Sequence, residues 1–262
     1  MSLSNKKIVV TGSASGIGAA SCRFLRAQGA WVVGLDRTPR TDNVDLFAPL
    51  DLLDGASITA ALAALPEAID GLCNIAGVPP AAGRARVLKT NFFALCALTE
   101  RLADRFSAGA SIVNIASIAG FGWREDMARI KAGLALAPDI SLEDIDAFCD
   151  AHEIDDVFSY LFAKEMLIVW TRKIHDLWRA RGVRINTISP GPAETPILKD
   201  FMAAFGERAR NDVAAVGRPG TPEDIAPVIA FLCSEQSAWI TGANIPVDGG
   251  LEAIALKRAF DF

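Results

Sequence analysis

The stretch Ile8-Val9-Val10-Thr11-Gly12-Ser13-Ala14-Ser15-Gly16-Ile17-Gly18 decides the fold of this chain. A short apolar run leads into three glycines, and an amphipathic segment continues from Gly16 to Gln28, where Gly29 closes it. That order reads as strand, tight turn and helix. Gly12, Gly16 and Gly18 let the backbone turn sharply and come close to a ligand with no Cβ in the way. The helix that opens at Gly16 offers free N–H groups and a partial positive charge, which suit a phosphate. In this context the turn, with Ser15 and Ile17 inside it, points to a dinucleotide cradle. The spacing is GxxxGxG rather than GxGxxG, which singles out one kind of dinucleotide fold. The plain alternative is an ordinary glycine-rich turn.

The rest of the chain repeats the alternation. Strands are expected at Lys7–Thr11, Trp31–Leu35, near Leu46–Leu50, at Gly71–Ile75, Ser111–Ile115, Val183–Ile188 and Asn244–Val247. Helices are expected at Ser57–Leu65, Lys89–Ser107, a segment running to about Arg181, and Pro222–Ser234. Continuous apolar strands separated by helices indicate a parallel sheet covered on both faces. The expectation is an α/β fold: one domain over 1–262, a Rossmann-type doubly wound parallel sheet of about seven strands with helices on both faces.

Bulk composition narrows the function. Hydrophobic residues make up 51% and charged residues 22% of the 262, as in a globular domain large enough for a substantial core. A net charge of -5 argues against nucleic-acid and anionic-membrane partners. No run of about 18 uncharged apolar residues suggests a membrane span, and the polar start, Met1 to Lys7, lacks the apolar core of a signal peptide. Cys22, Cys73, Cys96, Cys149 and Cys233 are scattered without metal-ligand spacing and read as buried reduced thiols of a cytoplasmic protein. With His152 and His175 the only histidines, no metal site is expected.

Chemistry is concentrated at Ser159-Tyr160-Leu161-Phe162-Ala163-Lys164. Positions i and i+4 share a helix face, so the Lys164 ammonium can lie beside the Tyr160 ring and lower its pKa from about 10. Asp36, at the end of the second strand, can accept from both ribose hydroxyls of an adenosine and would repel a 2′-phosphate, which favours NAD over NADP. Arg37 beside it could accommodate that phosphate, and a solvated loop carboxylate is the bland reading of Asp36. Asp51 is placed to hold an adenine amino group with Leu52 beside the ring, or merely to cap a helix.

These residues resemble the short-chain dehydrogenase/reductase family over nearly the whole chain. The likeness rests on the Thr11–Gly18 turn, Asn74-Ile75-Ala76-Gly77, Asn91, Ser117, Tyr160 with Lys164, and Pro190-Gly191 leading to Thr195. It implies a catalytic tetrad of Asn91, Ser117, Tyr160 and Lys164. Tyr160 would take the hydroxyl proton of an alcohol, or protonate a carbonyl in reverse. Lys164 would stabilise the phenolate and hold the nicotinamide ribose. Ser117 would hydrogen-bond the substrate oxygen, and Asn91 would hold a water for proton relay. The resemblance also assigns Asn74, Ala76, Gly77, Pro190, Gly191 and Thr195 to the cofactor, with Thr195 at the carboxamide or pyrophosphate. Structural roles for Asn91 in a helix hydrogen bond, for Ser117 in a turn, and for the proline loop as a rigid turn stay open. Ile75 stands where the family often has a second asparagine, and Ala163 where it usually has serine; neither position handles protons.

Ser117 and Tyr160 lie much farther apart than the dozen or so residues usual in the family. The extra residues, about 122–158, form an insertion rich in Asp and Glu. Within it Ser141 and Asp144 signal a capped helix. A solvated excrescence, a cover over the substrate cleft, or a block on the usual helix-pair dimer face are the readings of this segment. An insertion here resembles the 3α-hydroxysteroid dehydrogenase/carbonyl reductase branch. Cys73-Asn74-Ile75-Ala76-Gly77-Val78-Pro79, Leu167-Ile168-Val169-Trp170, Thr195-Pro196-Ile197-Leu198 and Ile225 to Cys233 together resemble bacterial coniferyl-alcohol dehydrogenases within it. That likeness implies NAD-linked oxidation of an aryl allylic alcohol to its aldehyde; a hydroxysteroid or carbonyl substrate, or a non-catalytic dinucleotide sensor, are the alternatives. Phe121, Trp123, Phe158, Phe162, Phe201, Met202 and Phe205 are candidates for the pocket wall. Residues 192–213 are a candidate lid. A homodimer or homotetramer is expected, with a dimer through the C-terminal strand and helix preferred.

Overall fold

The computed structural model describes residues 2–261. In chain order the elements are β1 (Lys7–Thr11), α1 (Gly16–Ala27), β2 (Trp31–Asp36), β3 (Leu46–Pro49), α2 (Gly55–Ala64), β4 (Ile69–Asn74), α3 (Arg84–Leu88), a π turn (Lys89–Phe93), α4 (Ala94–Arg101) and β5 (Phe106–Ile115). They continue as α5 (Met127–Gly133), α6 (Leu142–Ala151), α7 (Asp156–Ala180), β6 (Arg184–Pro190), α8 (Leu198–Val216), α9 (Pro222–Cys233), β7 (Asn244–Val247) and α10 (Leu251–Phe260). The strands form one seven-stranded sheet in the order β3-β2-β1-β4-β5-β6-β7, parallel throughout. The order reverses between β1 and β4, and ligands of such sheets bind outside the strands' carboxyl ends at that switch point.

Alternation along each strand divides the core in two. Val9, Val33, Leu72 and Ile112 face one layer, with α2, α4 and α7. Ile8, Val10, Val32, Cys73 and Val113 face the other, with α1 and α9. Both faces are therefore apolar, which is why the strands read as continuous hydrophobic runs. Each fully buried Val, Leu or Ile contributes about 1.5–3 kcal/mol.

A row of polar residues crosses this apolar sheet near its carboxyl edge. Thr11, Asn74, Asn114, Thr187 and Asn244 are register partners on neighbouring strands. Asn74 Nδ2 donates to Asn114 Oδ1 at 2.9 Å and to Thr99 Oγ1 at 3.0 Å, and Asn114 Nδ2 donates to Thr171 Oγ1 at 3.0 Å. Thr99 lies on α4 and Thr171 on α7, so the row fixes both helices to the sheet.

Three features depart from expectation. The helix expected at Lys89–Ser107 begins at Arg84, passes through the π turn and ends at Arg101, while Ser107 already belongs to β5. Gly83, with φ 88°, permits the sharp entry into α3. Second, α8, α10 and α5 carry no strong sequence signature; α8 is interrupted by Gly206 at φ 53° and ψ -121°, which breaks its periodicity. Third, β5 starts five residues early at Phe106. Inside the insertion, Ser141 caps α6 as expected, accepting from the Asp144 N–H at 3.0 Å. Helices α5 and α6 pack on α7 and α3, burying Ile130, Ile145 and Cys149 against Phe162. Arg84 clasps this layer, with Nε 2.6 Å from Asp146 Oδ1 and Nη2 2.6 Å from Asp150 Oδ1. All five cysteines are buried free thiols.

Candidate active site

One cleft of about 610 Å³ runs along the carboxyl edge of the sheet and collects most of the expected residues. Gly12, Ser15, Gly16, Ile17 and Gly18 form its floor between β1 and α1. Their packing leaves no room for larger side chains. A Cβ on Gly18 would stand 1.9 Å from the Gly12 carbonyl oxygen, and one on Gly12 (φ +71°) 2.9 Å from Ala76 Cα. Ser15 is the residue before α1, yet no side chain caps the helix. Its first N–H groups are thus available to an anion.

At one end of the cleft lie Asp36, Arg37, Asp51 and Leu52. Asp36 accepts from the Ala14 N–H at 3.0 Å and the Thr38 N–H at 2.8 Å, so its carboxylate is aimed by the turn it braces. Asp51 is not the cap of α2, a place taken by Asp54; it accepts from the Leu53 N–H at 2.9 Å in the preceding turn and faces the cleft. Ala76, Gly77, Pro190, Gly191 and Thr195 also line the cleft. The glycine cradle, the uncapped helix end and the aimed Asp36 together fit a dinucleotide. Asn74 does not reach the cleft: its amide is 1% exposed and bound to Thr99 and Asn114. Its register position in the sheet takes the side chain away from the ligand side.

Ser117, Tyr160 and Lys164 meet at the other end. Ser117 follows β5 and begins a short 3₁₀ turn, its Oγ accepting from the Ala119 N–H at 3.1 Å. Lys164 Nζ donates to the Ile115 carbonyl at 2.7 Å, tying α7 to the end of β5. That ammonium stands 5.5 Å from the Tyr160 ring centroid. The expected depression of the phenol is not found. Burial dominates and pushes Tyr160 up to about 12, against the Ser117 hydroxyl, which pulls the other way. Burial also pushes Lys164 down to about 8. A desolvated ammonium held by one carbonyl is a poor counter-charge until something else enters the cleft.

Asn91 is engaged structurally. It sits in the π turn, fully buried, with Oδ1 accepting from the Val78 N–H at 2.8 Å and Nδ2 donating to the Val78 carbonyl at 3.0 Å. The side-chain amide is engaged at both ends by the Val78 backbone, so it pins the strand-end loop. A Cβ on Gly77 would lie 3.2 Å from Asn91 Oδ1, which explains the glycine there.

The wall beside Tyr160 is aromatic. Phe201 meets the Tyr160 ring edge-on with centroids 4.7 Å apart, and Phe205 stacks on Phe201 at 6.1 Å. Phe121 and Met202 complete it, whereas Trp123, Phe158 and Phe162 do not line the cleft. Phe162 is fully buried and stacks with Phe158 and Phe148 under the insertion. Trp123 lies under the Arg124 and Arg172 guanidiniums, at 4.0 and 4.9 Å. Thr90, Arg86, Arg208, Asp212 and Arg258 also line the cleft, and sequence reading missed them. Arg208 and Asp212 fall within the 192–213 segment expected as a candidate lid but were not singled out there, and Arg258 lies on α10, which was not expected. Among the described residues, no group of three or more His, Cys, Asp or Glu is gathered to hold a metal, and no helix is long and apolar enough to cross a membrane.

Comparison with known proteins agrees with this geometry. The short chain dehydrogenase family model matches residues 6–128, and the Enoyl-(Acyl carrier protein) reductase model matches residues 148–252. Coniferyl-alcohol dehydrogenase from Pseudomonas sp. (strain HR199 / DSM 7063) is 44% identical over 96% of this chain and 98% of that protein. The chain belongs to the short-chain dehydrogenase/reductase family. Another member, 3-alpha-hydroxysteroid dehydrogenase/carbonyl reductase of Comamonas testosteroni, is 33% identical over 97% of this chain and 99% of that protein. Among solved structures, the 3-alpha-hydroxysteroid dehydrogenase from Pseudomonas sp. B-0831 complexed with NADH superimposes with a TM-score of 0.83. It is 34% identical and covers 98% of this chain and 100% of that one. The two family models leave residues 129–147, within the insertion, unmatched.

Proposed function

We propose that this family member is an NAD-linked dehydrogenase that oxidises an aryl allylic alcohol of the coniferyl type to its aldehyde. The observation that carries the substrate is the aromatic wall, Phe201 at 4.7 Å from Tyr160, in a chain 44% identical to a coniferyl-alcohol dehydrogenase. Asp36, poised for ribose hydroxyls and repelling a 2′-phosphate, supports NAD. When bound, the cofactor supplies the hydride acceptor and a positive ring that favours phenolate over phenol. Tyr160 then accepts the hydroxyl proton of the alcohol, and Ser117 donates to the same oxygen as it becomes a carbonyl. Lys164 holds the phenolate electrostatically, and Asn91 fixes the loop that shapes this end of the cleft. Gly12 to Gly18, Ala76, Gly77, Pro190, Gly191 and Thr195 hold and orient the dinucleotide.

Coniferyl alcohol and a 3α-hydroxysteroid, each supplied with NAD, distinguish this reading from its main competitor, which the 0.83 superposition favours. NADH formation at least tenfold faster per enzyme with coniferyl alcohol is expected; the reverse ranking overturns the aryl reading. The same proposal has the protein working in the cytoplasm as a dimer through β7 and α9, because the insertion occupies the outer faces of α3 and α7. Sedimentation of the purified protein tests the dimer.

A further inference from the structure

The substrate end of the cleft is apolar near Tyr160 and cationic farther out. Helices α8 and α10 build this gradient in the same way. On α8, Phe201 and Phe205 face the cleft near Tyr160, and Arg208 lines it seven residues beyond Phe201. On α10, Leu251 and Ile254 face the cleft and Arg258 lines it seven residues beyond Leu251. On the unbroken α10 seven residues are about 10 Å of helix axis, whereas on α8 the span crosses Gly206. The chain turns at Gly206, and past the turn Arg208 and Asp212 still line the cleft. Helices α8 and α10 touch, and each brings one arginine to the cleft lining that forms this rim. The ion pairs among the described residues use other cations. Two guanidiniums against the single carboxylate of Asp212 leave this rim positive, on a chain of net charge -5. A guanidinium fork matches a carboxylate better than any neutral group.

We propose that Arg208 and Arg258 select substrates that carry an anionic oxygen group at the end opposite the reacting carbinol, a carboxylate above all. The inference rests on the aryl-alcohol reading and makes it more specific: the favoured class is an aryl alcohol with a distal acid. An alcohol of this shape lays its ring along Phe201 and Phe205, its hydroxyl at Tyr160 and Ser117, and its acid on the rim.

The test compares cinnamyl alcohol, coniferyl alcohol and 4-carboxycinnamyl alcohol with NAD. The expected kcat/KM of the wild type is about tenfold higher for the carboxylate than for cinnamyl alcohol, one charge-assisted contact being worth at least that factor. Arg208→Met and Arg258→Met should each shrink the gap, by raising KM for the carboxylate. Arg210→Met, on α8 but outside the cleft, should keep it. A gap that persists in Arg208→Met overturns the proposal. So does a loss of NAD affinity in that variant, measured by titration, which would assign the guanidinium to the dinucleotide. Binding of the same alcohols to the NADH-loaded protein, read by NADH fluorescence, keeps the two readings apart. If none of the three is turned over, the aryl-alcohol oxidation fails, and the arginines are judged by the binding gap alone.

Discussion

Replacing Glu165 by Gln should stabilise the protein, and increasingly so as pH rises. Glu165 follows Lys164 on α7 and is 9% exposed. Its carboxyl packs against the start of the insertion, where a Cβ on Gly122 would lie 3.1 Å from Oε1. Burial, with Glu125 and Asp126 adding to it and Arg129 opposing, pushes its pKa from 4.5 up to about 7. An acid whose folded pKa is raised contributes nothing unfavourable well below 4.5, where both states are protonated. Between 4.5 and 7 the unfolded chain ionises while the folded one holds its proton, and stability falls as pH rises. Above 7 both are ionised and the full cost stands. Linkage over that shift gives a cost of about 1 kcal/mol at pH 5 and about 3 kcal/mol at pH 8. Gln keeps the shape without the charge. Urea unfolding of both proteins should therefore show an advantage for Glu165→Gln that grows by about 2 kcal/mol between pH 5 and pH 8. Comparison at each pH cancels the titration of every other group. An advantage that does not change with pH would refute the assigned cause.

Two further substitutions probe the cradle and the sheet row. Gly18→Ala sets a methyl 1.9 Å from the Gly12 carbonyl, so the turn must open; calorimetric titration should show NAD binding weakened at least tenfold. Thr171→Val removes the acceptor for Asn114 Nδ2 in a fully buried site. Thermal unfolding should report a loss of about 1–3 kcal/mol, the cost of a buried unsatisfied donor; an unchanged midpoint would show that the row does not anchor α7.

Much of this molecule is legible from its residues because local signals and burial agree. The run Ile8 to Gly18 reads as strand, turn and helix, and the structure realises it at Lys7–Thr11 and Gly16–Ala27. Ser141 announces α6 for a local reason, a hydroxyl that satisfies an N–H three residues on. The spacing of Tyr160 and Lys164 places both at the cleft because a single helix carries them. What is not legible depends on distant contacts. The π turn at Lys89–Phe93 and the Asn91–Val78 pairing join segments separated in sequence. The fate of Phe158 and Phe162 depends on an insertion whose packing has no local code. The phenol is raised rather than lowered because desolvation, a property of the whole fold, outweighs the opposing Ser117 hydroxyl. Helix α8 escapes because Gly206 breaks its period and its outer face is charged.

The proton-handling role of Tyr160 is the centre of the account, and Tyr160→Phe tests it most directly. The ring, its contact with Phe201 and the fold are retained, and only the hydroxyl is lost. Single-turnover NADH formation from coniferyl alcohol should fall at least a hundredfold, with NAD affinity by titration within about threefold of wild type, less than one net hydrogen bond of about 1 kcal/mol would change it. NADH formation at the wild-type rate in that variant would contradict the assignment of Tyr160 as the proton acceptor.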